Sequence, residues 1–132
     1  MINKEYINNY YKNVLSLAFL GDSVFTLIVR KFLIDKHDIK PNGLNKKANE
    51  IVCARNQAKI MRELKRELSE DEIDIVMRAR NSHTNNKAKN STLEEYSLAT
   101  QFEALVGYWY LNNDVEKLKN MFDLYVKSNL EN

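Results

Sequence analysis

Almost nothing in this sequence can interrupt a helix: one proline and three glycines are spread over 132 residues. Proline breaks helix interiors, and glycine weakens them by about 1 kcal/mol relative to alanine. Their scarcity, together with the lack of any alternating stretch long enough for a sheet, predicts an all-α helical bundle. Periodicity and punctuation divide the chain into five helical segments. The first runs from about Lys12 to Lys36, roughly 37 Å at 1.5 Å per residue. A turn is expected over His37 to Gly43, where Pro41 is followed by Asn42-Gly43. The second region spans Leu44 to Leu68, with a break near Cys53. Ser69 with Glu72 makes a capping box that opens a helix to about Arg80. Asn81 to Ser91 reads as a polar loop, and Ser91/Thr92 with Glu94/Glu95 caps a helix to Leu111. Asn112-Asn113-Asp114 then ends that helix and caps a last one that reaches the C-terminus.

The length suits one domain over residues 1–132, large enough to bury roughly two-thirds of its unfolded surface without disulfides or a structural metal. Hydrophobic residues at 44% and charged residues at 29% are ordinary for a soluble protein. Cys53 is the single cysteine, so no internal disulfide can form and a reducing compartment is expected. No basic-then-apolar signal opens the chain, and the longest apolar-rich stretch, Val14 to Val29, contains Asp22 and is too short to span a bilayer. A cytoplasmic protein with no membrane role is therefore expected. The formal net charge of +2 says little about nucleic acid by itself.

The informative feature is a pair of acids where apolar residues belong. On the first helix, Leu15, Ala18, Asp22, Phe25, Val29 and Leu33 form one stripe at helical spacing, apolar except for Asp22. The Thr92 to Leu111 helix repeats the pattern with Tyr96, Ala99, Glu103, Val106 and Tyr110. Small residues flank both acids: Ala18 and Gly21 on one helix, Ala99 and Gly107 on the other. Two helices can approach closely there, and two core-facing acids would raise each other's pKa unless a cation lay between them. Mg²⁺ suits such a site, being commonly held by one or two carboxylates with water and substrate phosphate. The plainer alternatives are a paired core acid, with Arg30, Arg55 or a lysine as partner, or a misread helical face. Each helix also carries a second apolar face: Leu17, Leu20, Val24 and Leu27/Ile28 on the first, Leu98, Phe102, Leu105 and Trp109 on the other. A helix apolar on two sides is central in its domain or shared with a second subunit, which suggests a dimer through the first helix.

Leu17-Ala-Phe-Leu-Gly-Asp-Ser-Val-Phe25 resembles the signature segment of the ribonuclease III family, and Phe102-Glu-Ala-Leu-Val-Gly107 resembles its second acidic helix. Pro41-Asn-Gly-Leu-Asn-Lys-Lys47 and Ile51-Val-Cys-Ala-Arg-Asn-Gln-Ala58 are similar to the segments between those motifs. Arg78-Ala-Arg-Asn81 and the Lys-rich residues after it look like the mini-ribonuclease III branch, which lacks a C-terminal double-stranded-RNA-binding domain. The resemblance implies a helical homodimer that cuts both strands of an RNA duplex with Mg²⁺ and leaves 5′-phosphate and 3′-hydroxyl ends. Asp22 and Glu103 match the family's metal-binding acids, and the branch's association with large-subunit ribosomal RNA makes its precursor the expected substrate. Larger members carry glutamates at the positions of Leu15 and Ala18 and an aspartate at Thr100, so fewer direct ligands are expected here. No His or Lys lies within either motif to serve as a general base, which leaves activation of the attacking water to the cation.

The resemblance to that branch implies a catalytic domain that holds RNA without an accessory domain. From Ile75 to Leu93 there is no acidic residue, while Arg78, Arg80, Lys87 and Lys89 are basic and Asn81, Ser82, Asn85, Asn86 and Asn90 add donors. Such a segment suits the phosphate and 2′-hydroxyl contacts by which duplex RNA is read. Lys46, Lys47 and Arg55 are candidates to extend that surface. Cys53 is expected to be a small core residue, and Tyr108, Trp109 and Tyr110 packing groups; His37 and His83 lack metal-ligand spacing. The rival reading is a non-catalytic RNA-binding or ribosome-associated scaffold with the same fold. Buried, unpaired carboxylates at Asp22 and Glu103 would serve no purpose in such a protein.

Overall fold

The computed structural model describes residues 13–36, 40–82 and 92–130. Among these, six α-helices follow one another: α1 (Val14–Lys36), α2 (Pro41–Ile51), α3 (Ala54–Leu64), α4 (Glu70–Asn81), α5 (Leu93–Leu111) and α6 (Val115–Asn129). A single 3₁₀ turn, Lys65–Glu67, extends α3, and the described residues contain no strand. The all-α architecture is as the sequence predicts.

The helix boundaries follow from local chemistry. The Ser69–Glu72 capping box opens α4, with the Ser69 N–H donating to Glu72 Oε1 at 2.9 Å and the Glu72 N–H donating to Ser69 Oγ at 3.2 Å. Thr92 and Glu95 do the same for α5, and Asp114 Oδ1 accepts from the Lys117 N–H at the start of α6. Asn113 takes a left-handed conformation, φ 56°, just past α5. Its N–H bonds the Tyr110 carbonyl, and the Asp114 N–H bonds that of Trp109. This is a Schellman ending with asparagine in the place glycine usually holds.

One boundary departs from expectation. Pro41, Asn42 and Gly43 do not form a turn but the first turn of α2, with Pro41 at its first position. Proline fits there because its missing N–H would have had no partner in the helix anyway. The expected break near Cys53 is present and is braced from outside. Asn56 Nδ2 donates to the carbonyls of Glu50 and Ile51, Gln57 Nε2 to that of Val52, and Tyr125 Oη to that of Ile51 at 2.6 Å. Cys53 itself is half-buried rather than a core residue.

Helix α5 is the axis of the fold, packing on α1, α3 and α4 with α6 alongside. Every residue from Leu98 to Trp109 except Glu103 is buried. Both of its apolar faces are thus explained by a central position. Helix α1 divides differently. Leu17, Val24, Phe25, Val29 and Leu33 are buried, whereas Phe19, Leu27 and Ile34 are 80%, 65% and 67% exposed. Phe25, Phe102 and Tyr125 join α1, α5 and α6 in an aromatic cluster with ring centroids 4.8–5.9 Å apart.

Candidate catalytic site

The site is positioned by two glycines. A β-carbon built on Gly21 would lie 1.7 Å from the Glu103 carbonyl oxygen, and one on Gly107 would lie 2.1 Å from that of Leu17. The backbones of α1 and α5 therefore touch, which only glycine permits at those two positions. Contact of Gly21 with Glu103, and of Gly107 with Leu17, also shows that the two helices run antiparallel. Asp22 follows Gly21 and Glu103 carries the carbonyl that Gly21 meets, so the crossing brings the two acids together.

The acids meet at the rim of the crossing. Glu103 is half-buried, but Asp22 is exposed, which corrects its expected place in a core-facing stripe. Ala18, Phe25, Val29 and Leu33 on that stripe are buried; Leu15 is 40% exposed. The difference is tertiary: α2 packs on α1 further along, where Leu33 and Leu44 line a common hollow, while the Asp22 level stays open to solvent. On α5, Tyr110 likewise turns outward and is 43% exposed, whereas Tyr108 and Trp109 pack as expected.

Burial, then a hydrogen bond to Asp22 and the charge of Asp22, push the Glu103 carboxyl up to about 9. Glu103 is thus held toward its protonated form and faces Asp22 across a hydrogen bond. No Arg or Lys is paired with either acid among the described residues. Two oxygen-donor carboxylates converging at a solvent-open rim fit a hard divalent ion that keeps several waters. The described residues offer no third acid there, and no cluster of three metal-ligating side chains occurs among them. Ala18 is buried, Leu15 is apolar, and the buried Thr100 hydroxyl donates back to the Tyr96 carbonyl at 3.0 Å.

The candidate RNA-contacting residues fall into separate groups. Arg78 and Asn81, at the end of α4, line a hollow of about 430 Å³ with Asn13, Leu15 and Ser82. Leu15 lies seven residues before Asp22 on α1, so this hollow opens two helical turns, about 10 Å, from the acids. Ser82 joins Arg78 and Asn81 there as one of the expected donors, whereas Asn13 was not legible, because the meeting of α4 with the start of α1 is non-local. Arg78 Nε is held by Asp74 Oδ2 at 3.1 Å in an exposed pair. Arg80, two residues on, points to a different side of α4 and is exposed. Lys46, Lys47 and Arg55 are exposed too, but Lys47 lines a groove with Phe32 and Lys36, at the far end of α1 from Arg78. Lys87 and Lys89 lie outside the described residues.

Comparison with known proteins places the chain in a family. Residues 15–114 match the family model described as the ribonuclease III domain. The chain is 44% identical over 106 residues to the mini-ribonuclease 3 of Brevibacillus brevis, covering 80% of this chain and 79% of that protein. It is 38% identical over 115 residues to the mini-ribonuclease 3 of Clostridium tetani, covering 86% and 76%. A crystal structure of a Fusobacterium nucleatum protein superposes with a TM-score of 0.80 at 34% identity, covering 89% of this chain and 91% of that one.

Proposed function

The chain belongs to the ribonuclease III family, and on that premise we propose that it is an endoribonuclease that cuts double-stranded RNA with a divalent cation held by Asp22 and Glu103. The observation that carries this reading is the Asp22–Glu103 pair at the Gly21–Gly107 crossing. Mg²⁺ is the cation that two carboxylates, water and a phosphate would suit. When bound, it supplies positive charge for the phosphate and lowers the pKa of water. Glu103, partly buried, and Asp22, at the open rim, would hold the cation between them. Ala18 and Leu15 keep the flank beside the acids small and apolar. Arg78 and Asn81, in the hollow two helical turns from Asp22, would bind backbone phosphates of the same duplex, with Arg80, Lys46, Lys47, Arg55, Lys87 and Lys89 as further candidate contacts. Hydrolysis in this family sense leaves 5′-phosphate and 3′-hydroxyl ends, and the substrate we favour is a large-subunit ribosomal RNA precursor in the cytoplasm. No helix among the described residues is long and apolar enough to cross a membrane.

A homodimer forms part of the same reading. Phe19, Ser23, Leu27, Arg30 and Ile34 make one exposed stripe along α1, and burying an exposed phenylalanine against a partner is worth roughly 1.5–3 kcal/mol. Two subunits related by a two-fold axis would present two acid pairs, one for each strand. Cleavage of a long duplex RNA with Mg²⁺ by wild type, Asp22→Asn and Glu103→Gln tests the proposal. Wild-type cutting that both variants lose, with duplex binding retained, supports it. Binding without cutting by the wild type, with Mg²⁺ or Mn²⁺, would instead support the scaffold reading, which the apolar Leu15 and Ala18 favour.

A further inference from the structure

The outward face of α1 carries a knob and a hole. Phe19 stands 80% exposed near one end, and near the other a mostly apolar hollow of about 370 Å³ opens between Leu33 and Ile34 of α1 and Pro41 and Leu44 of α2. The knob and the hole lie 15 residues apart on one helix, about 22 Å. In a two-fold dimer the same patch meets itself, so if the knob of one subunit fills the hole of the other, the reverse contact is made as well. That condition fixes the register: the two α1 helices run antiparallel, and the axis passes midway between residues 19 and 34, beside Thr26 and Leu27. Arg30 of one subunit then comes level with Ser23 of its partner, one residue from the partner's Asp22.

Arg30 needs such a neighbour. It is exposed, lines the rim of the hollow, and is the one charged residue in the stripe Phe19, Ser23, Leu27, Arg30, Ile34. Among the described residues it has no ion-pair partner in its own chain. A guanidinium covered by an apolar interface is costly unless an anion is in reach. Helix α1 offers two acids, Asp22 and Asp35, and Asp35 is already held by Lys31 at 2.7 Å.

Resting on the nuclease reading above, we propose that Arg30 works across the dimer: it extends to the Asp22–Glu103 pair of the other subunit and holds a phosphate of the strand cut there. The planar fork of a guanidinium suits the two oxygens of a phosphate, and a cation beside two carboxylates and a phosphate keeps the local charge near balance. Each acid pair is then completed by a residue of the second chain, so a lone subunit has an incomplete site.

Mixed dimers test this. Two differently tagged chains are co-expressed and the mixed species isolated by sequential capture. In the first, one chain carries Arg30→Ala and the other Asp22→Asn; in the second, one chain carries both changes and the other is wild type. Each dimer has one intact acid pair, one native Arg30 and one chain with Arg30→Ala, so interface strength is matched. In the first, the intact pair faces Arg30; in the second, it faces alanine. On an end-labelled duplex, the first should nick one strand at the rate of a wild-type/Asp22→Asn dimer, and the second roughly tenfold or more slower, as loss of one charge-assisted contact implies. The opposite ranking would show Arg30 acting in its own subunit, and equal rates would show it acting in neither; both overturn the proposal. The homodimers separate this from the nuclease reading, which falls if wild type does not cut or if Asp22→Asn does.

Discussion

At the scale of single residues, the acid pair depends on two atoms that are missing. Gly21 and Gly107 let α1 and α5 touch through their backbones, and a methyl group at residue 21 would have to displace the carbonyl of Glu103 itself. Backbone cannot rotate away as a side chain can, so Gly21→Ala is expected to destabilise the fold by about 3 kcal/mol or more, read from urea unfolding. Glu103 makes a second prediction. Its folded pKa of about 9 lies above its ordinary value of 4.5, so the folded chain binds the extra proton between those limits. Its stabilising contribution is complete below the lower limit and is lost as pH rises toward the upper one. In chelator, the wild-type melting temperature should therefore fall from about pH 6 to about pH 9. Glu103→Gln has no proton to lose there and should flatten the profile; a parallel fall in the variant would sink the assignment. Glycine, aspartate and glutamate at these positions could be read from the sequence as a close helix crossing with acids. That Asp22 would sit at the rim rather than in the core could not, because its exposure is decided by which helix fails to cover it.

At the scale of elements, helix ends were the most legible features, because a cap is a contact between residues three apart. Ser69–Glu72 and Thr92–Glu95 are both closed boxes in the structure. Glu72 does more than its motif announces. Its side chain is 4% exposed, with the Trp109 indole N–H donating to Oε2 and the Lys117 ammonium 3.6 Å away, tying α4 to α5 and α6. Burial alone would raise its pKa, but the Ser69 N–H, Trp109 and Lys117 together hold it below the ordinary carboxylate value. Its contribution is thus present above that ordinary value and lost as pH falls through the lowered one. Glu72→Gln should cost roughly 1.5–3 kcal/mol at neutral pH, with the gap from wild type closing in acid. Tryptophan fluorescence during unfolding reads this directly, since Trp109 is the single tryptophan. The start of α2 at Pro41 shows the opposite case. Pro-Asn-Gly suits a turn and a helix start equally, and the packing of α2 on α1 chose the helix.

At the scale of the whole molecule, α5 is consumed by the core and α1 is not. The stripe from Phe19 to Ile34 is apolar surface that the described fold leaves open. Phe19→Glu should convert a dimer to a monomer in light scattering, leave the circular dichroism of the helices unchanged, and abolish duplex cutting. A monomer with full activity would remove the two-site reading. Duplex affinity should also fall steeply with salt, by a slope that drops by about one when Arg78→Ala removes a phosphate contact. A slope unmoved by that change would take the hollow beside Leu15 out of the RNA surface.

The sequence by itself determined the helical fold and the caps, and it marked Asp22 and Glu103 as acids on two helices able to pack closely. Each is written in residue type and spacing along the chain: scarce helix breakers, boxes at i and i+3, and one acid and one glycine on each of two apolar helices. Only the tertiary structure decided which side of α1 is covered, and with it the exposure of Asp22, the hollow shared by Arg78 and Leu15, and the open stripe around Arg30. Those are matters of which distant segment lies against a given face. Helical periodicity records that a face is apolar, but not what comes to cover it.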